Sequence, residues 1–521
     1  MVRRSVGWLS IVVLATLISG CGNLTPTPSF SYDIEAINNE GGSVWYEIFI
    51  QSFYDSDGDG MGDLNGVTEK LDYLQDLGVS GIWFMPIHPG SSYHLYDVTD
   101  YYEIAPKYGN LFDFEIYLQE AKARNIQTVL DLVVNHTSSV HPWFREGLLD
   151  YASDNCGSPA SKCHYYNFSR TRGEGYEPYG GGVYAEARFW SGMPDLNLDN
   201  PFVKQEIEDI MAYWFDLGVD GFRLDAVTSF FTGNANKNIE FLSWLGDTAK
   251  AIKPDSFIVA EGPWSMTSSG LLQYYPARID SFFNFPVSVT GNRIVDRVRL
   301  QQGYDLARVT ALFNQNLYAI RPDAIDTPFL SNHDQSRVAG ILFVENNDLN
   351  HKLLASIYLL MPGKPFMYYG EEIGMKGSGR DENKRLPMIW SATNKTGQTN
   401  PASAADYNMT LQVTQGVDDL AAIPNSLWNH YKKVISVRNK YNDFIQTARL
   451  TATNIDPRLY TLTYNTDAGE ITIITNVTGT EITVSNSEGW TLLEGIYPTL
   501  ARGAVTASDL TIPPFTTMIL Q

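Results

Sequence analysis

The segment GFRLDAV (221–227) places a carboxylate at the end of a short β-rich run. Three other segments have the same design: DLVVNH (131–136), VAEG (259–262) and FLSNHD (329–334). Asp225, Glu261 and Asp334 therefore each come at or near the end of an apolar strand. Carboxylates in such places are costly to bury unless they are paired or functional. Two carboxylates flanking one bond are what glycoside chemistry needs.

Eight strand-like runs alternate with helical segments. The candidate strands are Val44–Ile50, Gly81–Pro86, Thr128–Val134, Gly221–Leu224, Phe257–Ala260, Ile279–Phe283, Thr327–Leu330 and Pro365–Tyr369. Strand–helix alternation predicts an α/β fold with a parallel sheet. Eight such units predict a closed (β/α)8 TIM barrel, whose active site lies on the C-terminal face where the acids would meet.

Composition narrows the classes of function. The chain has 521 residues, which predicts two or three domains, and 44% hydrophobic residues, which is typical of a globular protein. Its net charge of −22 argues against nucleic acid as a partner, because a phosphate backbone needs a basic surface. The 11 Trp and 30 Tyr exceed what a core needs and suit stacking on sugar rings.

The N-terminus has the pattern of a targeting segment. Arg3 and Arg4 precede an apolar run that ends in small residues before Cys21. This pattern resembles a bacterial lipoprotein signal over 1–20, with Cys21 lipidated and 21–43 as a linker. The alternative, an uncleaved anchor, has too short an apolar run, since about 20 residues span a bilayer. Either reading predicts export of the body of the protein. The lipoprotein reading places it in the bacterial cell envelope, with the membrane reached only through the lipid on Cys21.

Two segments depart from the strand–helix alternation. Residues 137–200 form a long Gly-, Ser- and Tyr-rich stretch, which predicts an inserted domain between barrel parts 44–136 and 201–442. Residues 443–521 are rich in Thr, Ile and Val and predict a C-terminal antiparallel β-domain. Cys156 and Cys163 lie in the first of these segments, and in an exported protein they predict a disulfide; two free thiols are the alternative.

From Trp45 onward the motifs and their order resemble the α-amylase family, glycoside hydrolase family 13. The resemblance implies a barrel, a small domain after the third strand and a C-terminal β-sandwich. It also implies that Asp225 is the nucleophile, Glu261 the general acid/base and Asp334 the residue that stabilises the distorted sugar. Arg223, two residues before the nucleophile, shares its face of the strand and can keep it ionised.

The resemblance also implies residues that bind substrate. They are Tyr96, Asp97, His136, Arg223, His333 and Arg337. Tyr96 would be a stacking platform, Asp97 would bind hydroxyls and both histidines would hydrogen-bond the reacting sugar. Arg337 has two readings: it reaches substrate, or it pairs with a core acid. Glu371 and Glu372 are interpreted as structural.

An acidic, Gly-rich turn follows the first predicted strand. Acids recur at alternate positions in DSDGDGMGD, which offers oxygen ligands from Asp55, Asp57, Asp59, Asp63 and the carbonyl of Met61. This spacing is typical of a Ca²⁺ site, and many family members have one in this loop. The alternative is a solvated acidic turn. It is not an EF-hand, because glycine stands where the twelfth-position glutamate belongs.

The sequence departs from the family's pattern after the nucleophile. Thr228 and Ser229 stand where many α-amylases have Lys-His, which weakens the case for a calcium role of Asn135. Ala226 is similar to α-1,4-acting members, whereas α-1,6-specific relatives usually have Val there. The MPDLN segment (193–197) lies between the forms of plain α-amylases and oligo-1,6-glucosidases.

The leading prediction is therefore an exported, retaining, endo-acting α-amylase for starch and maltodextrin. One alternative is an exo-acting α-glucosidase or transglycosylase on short malto-oligosaccharides. Another is a silent sugar-binding lipoprotein, which the intact Asp225, Glu261 and Asp334 argue against.

Overall fold

The structure is a computed structural model that describes residues 31–34, 41–263, 267–345 and 347–521. The proposed signal segment and Cys21 lie outside the described residues. In the part of the chain that is described, no helix combines the length and apolar character needed to cross a membrane.

Eight parallel strands form the barrel that the alternation predicts. They are Trp45–Ile48, Gly81–Phe84, Gln127–Leu132, Gly221–Leu224, Phe257–Ala260, Ser281–Phe283, Ile325–Thr327 and Phe366–Tyr368, called barrel strands 1 to 8 in that order. Each pairs with its neighbour in sequence, and strand 8 pairs with strand 1. Strands 7 and 8 are joined by the Phe329–Phe366 bridge, which closes the barrel. The predicted (β/α)8 class is confirmed.

Strand 7 lies two residues earlier than predicted and shares only Thr327 with the predicted run. The cause is Pro328, which has no N–H to donate to a ladder. Its carbonyl instead accepts from the amide of Phe366 at 3.0 Å. Strand 6 also begins two residues late, because Arg321 donates to the carbonyl of Ile279.

Side chains inside the barrel form two layers. The lower layer is apolar, and Trp45 stacks on Phe366 with ring centroids 5.4 Å apart. Gly81 is required there, because a Cβ on it would lie 2.4 Å from the Trp45 ring. Two residues farther along their strands, Glu47 and Arg223 point inward as well and begin a charged layer.

Helices surround the strands and fill the loops. They are Leu64–Glu69, Leu71–Leu77, Leu111–Ala123, Pro142–Ala152, Pro201–Leu217, Ala235–Ile252, Ser268–Leu272, Arg293–Arg299, Gly303–Ile320, Asp348–Leu359, Asp381–Lys384, Val417–Ala421, Leu427–Lys440 and Asn442–Ile445. The helix Pro201–Leu217 shows why they form: Asn200 caps its first turn, Pro201 occupies the first position and Gly218 ends it at a φ of 112°.

The segment between strands 3 and 4 forms a small layer over the barrel. It contains the helix Pro142–Ala152 and a three-stranded sheet of Phe168–Ser169, Tyr176–Pro178 and Tyr184–Glu186. Cys156 and Cys163 form a disulfide, as predicted, with Cα atoms 5.6 Å apart. An antiparallel bridge between His136 and Asp195 ties the end of this segment to the end of strand 3.

The C-terminal residues form two antiparallel sheets. One has five strands, in the order Arg449–Ala452, Leu459–Thr466, Gly469–Asn476, Thr517–Leu520 and Leu492–Ile496; the other has Ile482–Ser485, Asp509–Ile512 and Ala504–Val505. Ile474 and Met518 of the first share an apolar core with Ile482 and Leu510 of the second. The other face of the five-stranded sheet packs on the barrel, where the Tyr464 hydroxyl donates to the carbonyl of Leu360 at 2.9 Å.

The N-terminal residues before the barrel lie along the helix Leu427–Lys440. The Tyr32 hydroxyl is 2.7 Å from Nδ1 of His430. Lys433 donates to the carbonyl of Asp33 at 2.6 Å. Farther along, Asn442 donates to the carbonyl of Gly41 at 2.6 Å, just before strand 1. The described part of the predicted linker is thus held against the barrel.

Candidate active site

A cavity of about 390 Å³ opens at the C-terminal ends of the barrel strands. Asp225, Glu261 and Asp334 all line it, and they follow strands 4, 5 and 7. A larger cavity of about 770 Å³ lies beside the helix Asp348–Leu359 and has none of the three acids in its wall. The smaller cavity is therefore the candidate active site.

Arg223 is buried behind the acids that line the cavity. Its guanidinium is fully buried and lies 2.6 Å from Asp225, 3.0 Å from Asp131 and 3.2 Å from Glu261. Asp131 is directly in register with Arg223 on strand 3, so neighbouring strands supply both partners. A single buried cation thus orients two of the cavity's acids and is itself oriented by a third.

The environments of Asp225 and Glu261 differ. Burial raises the pKa of Asp225, and the Arg223 guanidinium opposes that rise. Burial also raises the pKa of Glu261, against Arg223, and the charges of Asp225 and Asp334 raise it further. The charge of Asp334 raises the pKa of Asp225 as well, so the difference between the two acids lies in the Arg223 contact, which is 2.6 Å to Asp225 and 3.2 Å to Glu261. The shorter contact favours the ionised form at Asp225, the form that a nucleophile needs.

Ala226 links these two acids through the backbone. Its φ is 51°, in the left-handed region that side-chain-bearing residues rarely adopt. In this conformation its N–H donates to Oε2 of Glu261 at 2.8 Å. Strained backbone persists where the surrounding structure enforces it, and here the strained conformation keeps the Ala226 N–H directed at Glu261.

Asp334 has a strongly cationic environment. Arg385 donates to its Oδ1 at 2.8 Å, and Nε2 of His333 lies 3.1 Å from its Oδ2. Burial would raise the pKa of Asp334, but His333 and Arg385 together hold it well below its usual range. This carboxyl therefore remains an anion, as a group that stabilises positive charge on a sugar must.

Tyr96 and His136 form one wall of the cavity. The Tyr96 ring stacks on His333 with centroids 5.6 Å apart and an interplanar angle of 17°. Nε2 of His136 lies 3.2 Å from the carbonyl of Tyr96. Burial lowers the pKa of His136 to about 4, so its imidazole is neutral: Nε2 donates to the Tyr96 carbonyl, and Nδ1 lies 3.3 Å from Nδ2 of Asn135.

Four of the six proposed substrate-binding residues do not line the cavity: Asp97, Arg223, His333 and Arg337. Arg223 and His333 contact it only through the acids Asp225 and Asp334. Arg337 is 1% exposed and donates to the backbone carbonyls of Lys384 and Tyr369 at 2.9 and 2.5 Å. It therefore does not reach the cavity, which corrects the reading of Arg337 as a substrate contact. It forms no ion pair within 4 Å among the described residues, but its charge opposes the rise that burial causes in the pKa of the core acids Glu371 and Glu372. Asp97 accepts from the amides of Ser91 and Ser92 at 2.9 and 3.0 Å and shapes its own loop.

The acidic turn gathers three of its four aspartates. Carboxylate oxygens of Asp55, Asp57 and Asp63 lie within 4.8 Å of one another. Asp59 is outside this group and accepts from the amide of Met61 at 2.7 Å. Asp55 accepts from the amide of Gly60 at 2.8 Å, which folds the turn back over the cluster. Three carboxylates in this arrangement fit the oxygen-rich set that Ca²⁺ prefers.

The family model described as "Alpha amylase, catalytic domain" matches residues 47–447, from strand 1 to just before the C-terminal sheets. The chain belongs to the α-amylase family. The family resemblance read from the motifs is thereby confirmed, and with it the enzyme class: the protein is an α-amylase-type glycoside hydrolase, acting on α-glucans.

Several members of the α-amylase family are similar over most of the chain. Alpha-amylase 3 of Dictyoglomus thermophilum is 42% identical over 407 residues, covering 76% of this chain and 77% of that protein. An oligo-1,6-glucosidase of Parageobacillus thermoglucosidasius is 28% identical over 524 residues, covering 83% and 89%. The solved structure of Eubacterium rectale Amy13B has a TM-score of 0.87 at 34% identity and covers 94% of this chain and 97% of its own.

Four further residues at the site are not among those predicted from the sequence. Glu47, His94, Asp131 and Arg385 all lie at or under the cavity. The period-2 rule for strands could have found Glu47, two residues after Trp45, and Asp131, in register with Arg223. Arg385 comes from the loop after strand 8, where no periodicity marks it.

The departures after the nucleophile also have a structural outcome. Thr228 and Ser229 line the cavity in place of Lys-His. Asn135 donates to Asp195 at 3.2 Å, so its amide is engaged with the inserted segment.

Proposed function

We propose that the protein is an endo-acting α-amylase that cleaves α-1,4 bonds with retention of configuration. The observation that carries the proposal is the buried Arg223, which bonds Asp225 and Glu261 on one side of a cavity whose other side holds Asp334. Retaining hydrolysis needs one ionised and one protonated carboxyl, and we assign these roles to Asp225 and Glu261, with Asp334 as the fixed anion beside them.

The reaction would proceed in two displacements. The Asp225 carboxylate attacks the anomeric carbon while Glu261 transfers its proton to the glycosidic oxygen, and the leaving sugar departs. Glu261, now ionised, takes a proton from water, whose oxygen attacks the same carbon and releases Asp225. Asp334 and the neutral His136 would stabilise the distorted sugar between these steps.

Two features favour internal cleavage of α-1,4 chains. Ala226, next to the nucleophile, lines the cavity and resembles α-1,4-acting members. Phe189 lines the cavity and the next residue is Trp190; both side chains are about half exposed. Exposed rings at the rim of a sugar site are suited to stack further glucose units of a chain that extends beyond the cavity.

Product analysis on soluble starch tests this proposal. Mixed malto-oligosaccharides early in the reaction would support internal cleavage, and glucose alone would favour the exo-acting α-glucosidase. An initial β-anomer in the NMR spectrum of the products would contradict the double displacement. Binding of maltodextrin without any cleavage would favour the silent sugar-binding alternative.

We propose that the acidic turn binds one Ca²⁺ through Asp55, Asp57 and Asp63, with Asp59 and the carbonyl of Met61 as further ligands. The clustered carboxylates support this proposal. The metal would stabilise the turn after strand 1. The catalytic steps above use only this chain's carboxyl groups.

We also propose that the protein is exported and carries a lipid on Cys21. The signal pattern and the Cys156–Cys163 disulfide support this proposal, because disulfides persist in oxidising compartments. Mass spectrometry of protein purified from membranes should show a diacylglycerol adduct on a mature chain that starts at Cys21. An unmodified Cys21 in an uncleaved chain would contradict it.

A further inference from the structure

The ring of His333 lies between two carboxylates inside the barrel. Nδ1 is 2.6 Å from Oε1 of Glu47, and Nε2 is 3.1 Å from Oδ2 of Asp334 and 2.8 Å from the Tyr96 hydroxyl. Glu47 is 2% exposed and His333 is 0% exposed. Bulk water therefore does not compete for either nitrogen, and the protein alone decides where the protons are.

The directions of the hydrogen bonds determine the charge of the ring. The Tyr96 hydroxyl donates its only proton to Oδ2 of Asp131 at 2.9 Å, so its oxygen accepts from Nε2 of His333. A Glu47 carboxylate can only accept, so Nδ1 must donate to it. An imidazole donates from both nitrogens only when it is an imidazolium.

We propose that Glu47 is a positioning residue that keeps His333 as an imidazolium, and that this fixed cation holds Tyr96 and Asp334 in their places in the catalytic cavity. The chain of hydrogen bonds begins at Glu47, in the charged layer of strand 1, two residues beyond Trp45 of the apolar layer. From there it runs through His333, Tyr96 and Asp131 to Arg223 and the nucleophile.

Glu47 is the carboxylate best placed for this role. Asp334 also faces the ring, but Arg385 binds it at 2.8 Å and shares its charge. Within the described residues, the Glu47 carboxylate hydrogen-bonds to His333 alone, through Nδ1 and the amide N–H. The remaining neighbours are Asp131 and Asp225, on whose carboxyls His333 acts, the Trp83 ring and Arg385, which donates to the His333 carbonyl.

The balance of charges agrees with the geometry. Burial opposes a charged ring, but Asp334 and Glu47 raise the pKa of His333 to about 9. Removing the charge of Glu47 would lower that pKa, so that the ring loses its proton at lower pH. A neutral ring donates from one nitrogen only, so it would lose either the Nδ1 contact to residue 47 or the Nε2 contacts to Tyr96 and Asp334. In both cases the ring no longer attracts the Asp334 carboxylate as a cation.

The test follows the ring itself by NMR of ¹⁵N-histidine-labelled protein, with the His333→Gln variant to assign its signals. In the native enzyme both nitrogens should have imidazolium shifts at about pH 7. Glu47→Gln should lower the His333 midpoint by at least about one pH unit. Glu47→Asp should restore part of the shift. The alkaline limb of kcat/KM should move to lower pH in Glu47→Gln.

Glu372→Gln is the matched control. This carboxyl is equally buried and accepts from Tyr46 and Tyr73, but it does not touch the His333 ring, so its variant should leave the His333 midpoint unchanged. A neutral His333 at about pH 7 in the native enzyme would overturn the inference without any variant. So would an unchanged midpoint in folded Glu47→Gln.

The functional part of this inference rests on the proposed role of Asp334. The titration is read without substrate, so its failure is distinguishable from a failure of the proposed reaction. If His333 of the native protein titrates as expected but the protein does not hydrolyse α-glucans, the proposed function is rejected while the Glu47–His333 inference is retained.

Discussion

At the scale of single residues, three buried carboxyl groups share one guanidinium as their counter-charge. Asp131, Asp225 and Glu261 all lie within 3.2 Å of Arg223, whose side chain is 1% exposed. Groups with so little access to water have few other sources of stabilisation. The arrangement therefore makes separate predictions for catalysis and for stability.

Asp225→Asn and Glu261→Gln should each leave the fold intact and remove hydrolysis. Each change keeps the shape of the side chain but removes the nucleophile or the proton donor. We expect kcat on a maltodextrin to fall by at least about 10²-fold, measured with circular dichroism as the check on folding. Near-native turnover by either folded variant would contradict the assigned roles.

Arg223→Met should destabilise the protein by about 3–5 kcal/mol near pH 7, because it leaves buried carboxylates without their cation. Without that cation, burial raises the folded-state pKa values of these carboxyls above their unfolded values. The lost stability should therefore be partly regained at about pH 5, where protonation removes the charges, and should grow as pH rises. Urea unfolding at the two pH values measures this.

Arg438→Met is the control for that experiment. Arg438 is 0% exposed and donates to the carbonyls of Leu359, Met361 and Gly363 rather than to acids. Its loss should destabilise without the same dependence on pH. Equal pH dependence in the two variants would show that stranded carboxylates are not the cause.

At this scale the sequence could assign residues only where a motif or a strand end marks them. Asp225, Glu261, Asp334, Tyr96 and His136 all reach the cavity. The loop carrying Arg385 has no such mark, because a contact made from a turn depends on how the whole chain closes. Arg337 follows the same motif, yet it is directed to two backbone carbonyls.

The acidic turn and the inserted segment can each be tested as elements. Chelation should lower the melting temperature, because a cation that binds only the folded state stabilises it by about 2.7 kcal/mol at 100 times its dissociation constant. Asp57→Ala should make the protein insensitive to EDTA. Asp63 is a poorer choice, since it also caps the helix Leu64–Glu69. Identical melting curves with and without EDTA would mean a solvated turn.

The disulfide makes an independent prediction for the inserted segment. It closes a loop of sequence separation 7 between the helix Pro142–Ala152 and the turn Lys162–Tyr165. Cys156→Ser with Cys163→Ser should lower stability by about 2–3 kcal/mol, as expected for so short a loop. Differential scanning calorimetry measures this. Dithiothreitol should lower the native melting temperature and leave that of the double variant unchanged.

Element boundaries were the less predictable part of the fold. Strand existence followed from apolar runs, but strand 7 depends on where Pro328 interrupts hydrogen bonding, and strand 6 depends on an arginine from a distant helix. The first of these is readable from the sequence. The second is a tertiary contact, which no local pattern contains.

For the whole molecule, the order of segments largely determined the architecture. Alternating strands and helices required a parallel barrel, and the Thr- and Val-rich end required antiparallel sheets. The sequence did not predict that residues 31–34, expected as linker, would pack on the helix Leu427–Lys440. That contact joins residues 398 positions apart.

The docked Tyr32 sets the length of any tether. Tyr32 comes eleven positions after Cys21, and a fully extended chain of that length reaches about 40 Å. If the lipid is attached, the body of the enzyme must stay close to the bilayer, because its tether ends where Tyr32 contacts His430, near the start of the helix Leu427–Lys440. A lipid-anchored enzyme would then cut polysaccharide no farther from the bilayer than this tether and one molecular diameter allow.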